Sequence, residues 1–387
     1  MKISILTATR AEYGLLKPII KKMNLDSSFD VRVVVTGTHL SPEFGLTFSE
    51  IEQDDIKIDK KIEILLSSDT PVAIAKSMGL ALVSFADYFD ELKPDLLVVL
   101  GDRYETLAVC TAAMNLRVPI AHLYGGETTE GAIDESIRHA ITKLSYLHFT
   151  STEEYRKRVI QLGEDPSRVF NVGALGIENI HNQTLLNKEE LESSINFSLE
   201  KPYAIVTYHP VTLDANSSLS QFESLLDACK KFKEMNFIFT KANADVDGRI
   251  INQLIDNFIE DNSNAIAFNS LGMKRYLSAL KYGSIVIGNS SSGLIEAPSF
   301  GIPTINIGDR QKGRLQAGSV INCEPITSDI ESAISLALSN EFKNRASNVT
   351  NPYGDGNTSM KVISTIKDYL LNKKINLKKP FYNIEVK

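Results

Sequence analysis

Carboxylates gather at two places in this 387-residue sequence where an apolar run gives way to a polar turn. Asp102 stands in Leu100-Gly101-Asp102-Arg103-Tyr104-Glu105, and Glu127, Glu130, Asp134 and Glu135 fall within nine residues after Gly125-Gly126. Acids crowded this way repel unless some are solvated or one keeps a proton. Carboxyl groups with separated pKa values are what proton removal on one face of a substrate and proton delivery on the other require. Simpler roles compete. Asp102, three residues before Glu105, resembles a capping box, Asp134 and Glu135 suit the first turn of a helix, and Glu130 suits solvent. Glu127 has no such use, because Gly-Gly-Glu after a buried strand caps nothing. His139 and His148 read as helix-face or core histidines.

Other residues are suited to holding an anion. The turn Thr7-Ala8-Thr9-Arg10-Ala11-Glu12-Tyr13-Gly14 has one glycine, so it is not the dinucleotide fingerprint, which argues against a nicotinamide enzyme. A helix N-terminus there, with Arg10 adding its fork of donors, can receive a phosphate; alternatively Arg10 only caps the loop or pairs with Glu12. In the second half, His209 ends Val206-Thr207-Tyr208-His209, where an imidazole suits a phosphate or leaving-group oxygen. Gly288-Asn289-Ser290-Ser291-Ser292-Gly293 forms a second cradle of hydroxyls and free N–H groups, and an ordinary serine cap explains one serine but not three. Glu296, one turn on, can accept both hydroxyls of a ribose. Arg310 and Asn243 sit on further loops after strands.

The elements that must position these residues alternate along the chain. Ile3–Thr7, Val31–Thr36, Leu96–Leu100, Pro119–Leu123 and Leu147–Thr150 read as buried parallel strands. Leu15–Met23, Val72–Leu92, Glu105–Asn115, Glu135–Leu144 and Glu153–Leu162 read as the helices between them. The polar stretch Gly176–Glu200, with at most a short helix around Lys188–Ser194, breaks the pattern and reads as a linker. Strands at Tyr203–Tyr208, Phe237–Thr240, Ala265–Phe268, Ser284–Gly288 and Thr304–Ile307 then alternate with helices at Leu219–Phe232, Val246–Ile259, Met273–Leu280 and Leu294–Phe300. A last helix, Thr358–Leu371, can return to the first half. The expectation is an α/β protein of two doubly wound Rossmann-like domains, 1–178 with 358–387 and 179–357, binding a ligand where strand C-termini face each other.

Composition excludes several classes. Hydrophobic residues make up 43% and charged residues 23%, as in a globular chain, and the net charge of −7 gives no general attraction for nucleic acid or an anionic membrane. Phosphate must therefore be met by a few placed cations. Cys110, Cys229 and Cys323 lack metal-ligand spacing and read as reduced, buried thiols of a cytoplasmic protein. Charge returns at Arg10 and Glu12, so Met1–Ala8 reads as a first strand and not as a signal peptide. No stretch is expected to approach the roughly 20 apolar residues that span a bilayer.

Taken in order, Ala8-Thr9-Arg10-Ala11-Glu12-Tyr13-Gly14, Gly101-Asp102-Arg103, Gly125-Gly126-Glu127 with Ile133-Asp134-Glu135-Ser136-Ile137-Arg138-His139, His209-Pro210, and Gly288–Gly293 with Glu296 resemble the hydrolysing UDP-N-acetylglucosamine 2-epimerases of sialic-acid-type and legionaminic-acid-type pathways. The resemblance covers nearly the whole chain. It implies a GT-B-like fold with the active site in the inter-domain cleft, a homodimer or homotetramer, and neither NAD nor an obligatory metal. It also implies removal of the sugar C2 proton, anti elimination of UDP and hydration of the glycal. Carried over by motif, Asp102, Glu127 and Asp134 are the acid/base groups. Arg10, His209, Ser290, Ser291 and Glu296 hold UDP, with Asn243 and Arg310 as additions, and Arg103, His39, Arg138 and Gly126 as further sugar contacts. Ala8 departs from the glycine common at its position and makes that turn bulkier. The sugar is either N-acetylglucosamine or a 2,4-diacetamido-6-deoxy analogue. Rival readings are a non-hydrolysing epimerase, which lacks the Gly-Gly-Glu-(x)6-Asp-Glu-Ser pattern, a glycosyltransferase, which does not need three carboxylates, and a non-catalytic sensor, which would leave them idle.

Overall fold

The computed structural model describes residues 1–66, 68, 70–128, 133–209, 218–242 and 248–385. The chain divides into two compact units. Met1–Glu127, Ile133–Asn179 and Tyr353–Lys387 make unit 1, and Ile180–Pro352 with Thr128 makes unit 2.

Unit 1 is built on seven parallel strands: β1 (Lys2–Thr7), β2 (Asp30–Val35), β3 (Ile58–Lys61), β4 (Leu96–Leu100), β5 (Ile120–Leu123), β6 (Leu147–Thr150) and β7 (Val169–Asn171). Their order across the sheet is β3-β2-β1-β4-β5-β6-β7. The helices are α1 (Arg10–Asn24), α2 (Phe48–Gln53), α3 (Pro71–Leu92), α4 (Tyr104–Asn115), α5 (Asp134–Leu144), α6 (Glu153–Gln161) and α7 (Leu175–Asn182). Helices cover both faces, so β4, the run LLVVL, is buried at every residue. One face packs Leu16, Ile19, Ile20 and Met23 of α1 on Ile3, Ile5 and Val98; the other packs Phe85 and Phe89 of α3 on Leu97 and Val99.

Unit 2 repeats the plan with β8 (Tyr203–Thr207), β9 (Asn236–Thr240), β10 (Ala265–Phe268), β11 (Ile285–Gly288), β12 (Thr304–Ile307) and β13 (Val320–Cys323), ordered β10-β9-β8-β11-β12-β13. Its helices are α8 (Lys188–Ile195), α9 (Ser218–Lys231), α10 (Gly248–Asp261), α11 (Gly272–Tyr282), α12 (Ser292–Ile295), α13 (Thr327–Leu338) and α14 (Asn340–Ser347). The last helix, α15 (Thr358–Leu371), puts Val362, Ile363 and Ile366 into the core of unit 1 beside α1. Buried Glu178 ties it there, accepting from the Ser359 N–H at 2.6 Å and from Lys22 Nζ at 2.6 Å. Both sheets reverse strand order once, between β1 and β4 and between β8 and β11. Such reversals leave a crevice at the strand C-termini.

Local chemistry explains the first turn and helix. Thr9 caps α1 by accepting from the Glu12 N–H at 3.3 Å, while Glu12 reaches back to the Thr9 N–H at 3.2 Å, a reciprocal capping box. Pro18 sits inside α1 and has no N–H for the Gly14 carbonyl; Asn179 Nδ2 supplies the missing donor at 3.1 Å.

Four expectations need correction. Helix α3 is long and apolar enough to cross a membrane by length and composition, although its Ala73, Ser77, Ala81, Phe85 and Phe89 face the protein core. The stretch Gly176–Glu200 is not one linker with a single short helix, since α7 runs through its start. The helix expected at Leu294–Phe300 is two short pieces, α12 and a 3-10 turn at Ala297–Phe300, because Pro298 cannot donate to the carbonyl one turn earlier. Strands β3, β7 and β13 were absent from the sequence pattern.

Candidate active site

In unit 1 the carboxylates converge on one arginine. Arg138, on the second turn of α5, is 2% exposed. Its Nη2 pairs with Asp102 Oδ2, and its Nη1 donates to the Glu127 carbonyl at 2.8 Å and to Glu135 Oε2 at 3.0 Å. Three segments are thereby tied together: the turn after β4, the loop after β5 and the start of α5. Asp134 and Glu135 do fall in the first turn of α5, as a helix start favours, but neither they nor Asp102 is an N-cap. The N-cap of α4 is Arg103 and that of α5 is Ile133, and neither helix start has a side-chain cap. Asp134, half-buried, has its pKa raised by burial and then by the Asp102 charge. Glu127 is buried and accepts from the Ser151 hydroxyl at 2.8 Å. One carboxyl pushed toward its protonated form beside another held by a guanidinium is an arrangement that can move a proton in either direction.

The glycines before Glu127 serve packing. Gly126 has φ +80°, and a Cβ there would lie 2.4 Å from the Tyr155 carbonyl of α6. Arg158 of α6 donates to the Gly126 carbonyl at 2.6 Å, so the backbone approached at this glycine is that of α6. His39 is fully buried, with Nε2 3.0 Å from the Thr7 hydroxyl and Nδ1 2.8 Å from that of Thr47. Burial holds its pKa down at about 4. Arg138 and His39 are thus tied into the interior of unit 1. Arg10 is half-exposed and pairs with Glu50 at 2.9 Å, neither capping the loop nor engaging Glu12. His139 lies one helical turn from Glu135 at 3.0 Å, and His148 is buried against Glu164 at 3.2 Å.

In unit 2 the hub is Asn289, at the end of β11 and fully buried. Its side chain accepts from the His209 N–H at 2.7 Å and donates to the His209 carbonyl at 2.8 Å, joining the ends of β8 and β11. Its own carbonyl accepts from Arg310 Nη1 at 2.9 Å and from Gln311 Nε2 at 2.8 Å. The turn is possible only because residue 288 is glycine: φ is +136°, and a Cβ would stand 1.9 Å from the Thr207 carbonyl. Burial, then the Arg310 charge, lowers the His209 pKa to about 4, which keeps the ring neutral. Ser290 Oγ accepts weakly from the Ser292 N–H at 3.4 Å, and Ser291 begins α12 without capping it. Glu296 closes α12; burial raises its pKa to about 7, and its buried Oε2 has no partner among the described residues. His209, Ser290, Ser291, Glu296 and Arg310 therefore cluster around one strand reversal. Asn243 lies outside the described residues.

Sequence reading missed Asn289, Gln311 and Ser151 as contributors, and gave Glu12 and Glu105 only minor roles. Asn289 carried a signal, since a polar amide directly follows a fully buried strand. Among the described residues, no three His, Cys, Asp or Glu side chains are grouped as a metal centre needs.

A family model described as UDP-N-acetylglucosamine 2-epimerase matches residues 21–367. The chain belongs to that family, in its hydrolysing branch. The GDP/UDP-N,N′-diacetylbacillosamine 2-epimerase (hydrolyzing) of Campylobacter jejuni is 47% identical over 343 residues, 88% of either chain. Polysialic acid biosynthesis protein P7 of Escherichia coli is 41% identical, covering 99% of this chain and 97% of its own. The crystal structure of UDP-GlcNAc 2-epimerase from Neisseria meningitidis bound to UDP-GlcNAc superposes with a TM-score of 0.81 at 20% identity, over 95% of this chain and all of that one. That likeness carries the fold, a GT-B-like pair of Rossmann-like domains.

Proposed function

We propose that this epimerase takes a UDP-linked 2-acetamido sugar, inverts C2 and releases UDP and the free sugar, with UDP-N,N′-diacetylbacillosamine as substrate. The observation that carries the chemistry is Arg138 drawing Asp102, the Glu127 backbone and Glu135 together, with Asp134 beside Asp102. The sugar is argued from the 47% identical relative named for it. A carboxylate removes the C2 proton, the C1–O bond breaks as UDP leaves, and a C1–C2 double bond forms. Water then adds its hydroxyl to C1 while a carboxyl delivers a proton to the opposite face of C2. Asp134, pushed toward its protonated form, suits delivery; Asp102 and Glu127 suit removal. In unit 2, His209, Ser290, Ser291, Glu296 and Arg310 are assigned to UDP, with Arg10 and Asn243 as additions. Glu296 Oε2, buried and without a hydrogen-bond partner among the described residues, is apt for the hydroxyls of a ribose.

A second reading, UDP-N-acetylglucosamine giving N-acetylmannosamine, is supported by the relative named for polysialic acid biosynthesis. Both sugars should be assayed side by side in D2O, with the GDP-linked form of the first included, and followed by NMR. The expected product is free 2,4-diacetamido sugar carrying deuterium at C2. Retained protium at C2 would sink the elimination route, and faster turnover of UDP-N-acetylglucosamine would install the second reading. Asp102→Asn and Glu127→Gln should each lower kcat by at least about 10²-fold while leaving UDP affinity within about threefold. The same reading includes a cytoplasmic homodimer or homotetramer, for which exposed Val72, Leu80 and Val83 on α3 supply apolar surface. Light scattering of the purified protein checks the assembly.

A further inference from the structure

The chain that follows α15, residues 372–385, returns to the far end of α5, the helix whose first turns carry Asp134, Glu135 and Arg138. A helix leaves its last carbonyls without intrahelical donors and gathers partial negative charge there. In α5 a cation from this distant tail meets that end. Lys379 Nζ donates to the Lys143 carbonyl at 2.7 Å and to the Ser145 carbonyl at 2.6 Å, and it pairs with both oxygens of Glu164 at 3.0 Å. Glu164 is 0% exposed and also accepts from Lys143 Nζ, on the last turn of α5, at 2.6 Å. His148 at 3.2 Å and Arg168 at 3.7 Å lie against the same carboxylate. The tail is seated by fitted contacts. Tyr146, two residues past α5, donates its hydroxyl to the Lys374 carbonyl at 3.0 Å and accepts from the Asn376 N–H at 3.1 Å. The Tyr382 N–H donates to the Gly163 carbonyl at 2.9 Å, and the Phe381 ring lies so close over Gly163 that a Cβ there would stand 2.3 Å from it.

We propose that Lys379 is a positioning residue for the acid/base site, clamping the C-terminal end of α5 so that Asp134 and Arg138 keep their places at its other end. The proposal deepens the epimerase reading and rests on it for the reaction that is followed. Lys379 touches no reacting atom and acts through the helix. α5 has 11 residues, which makes a rod about 16 Å long. Ile137 and Ile141, packed in the core, and Thr142, 3.3 Å from the His122 ring, fix the face it turns inward. Contacts on one face resist rotation about the axis better than slip along it, and slip is governed at the ends. The first turn has no side-chain cap, and Arg138 ties that end to Asp102 and to the Glu127 carbonyl. Lys379 and Lys143, joined through Glu164, hold the last turn. A slip at this clamp is carried along the rod to the groups that handle the proton. Misplacing such groups by about 1 Å costs up to about 10²-fold in rate.

Lys379→Met keeps the aliphatic stem and removes the ammonium. Measured well below the melting temperature, it should lower kcat about 5- to 30-fold with UDP affinity within about twofold of the natural protein. Amide exchange over residues 137–145 should quicken at least about tenfold, while that of β4 stays unchanged. Lys379→Arg, whose fork can still donate to the helix-end carbonyls and to Glu164, should keep kcat within about threefold of the natural value. Phe381→Ala loosens the tail without touching the clamp and should give a smaller loss of the same kind, in kcat and not in UDP affinity. If Lys379→Met does not fold, Phe381→Ala decides by the same readouts. A lower thermal midpoint with kcat unchanged overturns the proposal, since Lys379 would then serve stability alone. A lower kcat with unaltered exchange in α5 overturns it as well. If the natural protein turned over neither sugar, the epimerase reading would fail, while the exchange comparison would still decide whether Lys379 clamps α5.

Discussion

Removing the Arg138 side chain would take one guanidinium away from the Asp102 carboxylate, the Glu127 carbonyl and Glu135 Oε2, all in one substitution. Breaking a buried ion pair by deleting one partner costs about 3–5 kcal/mol, most of it from the charge left behind. Arg138→Met should therefore lose stability on that scale and kcat by more than about 10²-fold, because the proton-handling acids lose their common anchor. Lysine is not a conservative replacement, since one ammonium cannot reproduce a planar fork that reaches three acceptors. Arg138→Lys should recover part of the thermal midpoint but little of the rate. Melting curves and steady-state kinetics on the two variants test this, and full activity in Arg138→Lys would mean that charge alone suffices.

The β8–β11 reversal can be probed with one methyl group. At Gly288 a side chain meets both a positive φ and the Thr207 carbonyl at 1.9 Å. Strain of about 1–3 kcal/mol and overpacking of about 1–3 kcal/mol act together there. Gly288→Ala should push β8 and β11 apart, break the Asn289–His209 pairing and weaken UDP binding more than tenfold by calorimetry. Unchanged UDP affinity would remove this reversal from the nucleotide site. The strands that position it were legible from sequence because interior strands of a doubly wound sheet are buried on both faces and read as continuous apolar runs. Strands β3, β7 and β13 were not legible, and all three are sheet edges. β3 is IDKK, β7 has three residues, and β13 is half-exposed VINC, which are the short, charged or partly polar traits that guard an edge against pairing with other chains. The same limit explains the site. Asp102, Glu127 and Asp134 were visible as acids after apolar runs. The interior engagement of Arg138, Glu12 and Glu105 depends on which helices cover them, and no local pattern records that.

Across the whole molecule, acid should affect the two units differently. In unit 1, burial holds His39 near pKa 4 and His122 near 3, and lowers His148; all three are 0% exposed. From about pH 6.5 down, the unfolded chain takes up protons at these histidines and the folded unit does not, so their contribution to stability, complete above that pH, is lost as pH falls. Glu12 runs the other way, since its folded pKa of about 7 lies above its unfolded value of 4.5 and its proton favours the folded state below 7. Asp134, also raised, acts in the same sense as Glu12. The lowered histidines outnumber the raised acids, so unit 1 loses stability as pH falls below about 6.5. Glu164, lowered to about 2 despite its burial by His148, Lys143 and Lys379, extends the loss below pH 4.5. In unit 2 the shifted groups of this range among the described residues are His209, lowered to about 4, and Glu296, raised to about 7, and their slopes oppose each other. Calorimetric scans at pH 7.5 and pH 5 should therefore show two transitions drawing apart, with the unit 1 midpoint falling by many degrees and that of unit 2 nearly fixed. His122→Asn should flatten the unit 1 slope, because burial holds the His122 pKa down at about 3, with its ring against the Gly101 carbonyl at 2.8 Å and the Thr142 hydroxyl at 3.3 Å. Parallel shifts of both transitions would show that the acid response is set by net charge and not by these buried rings.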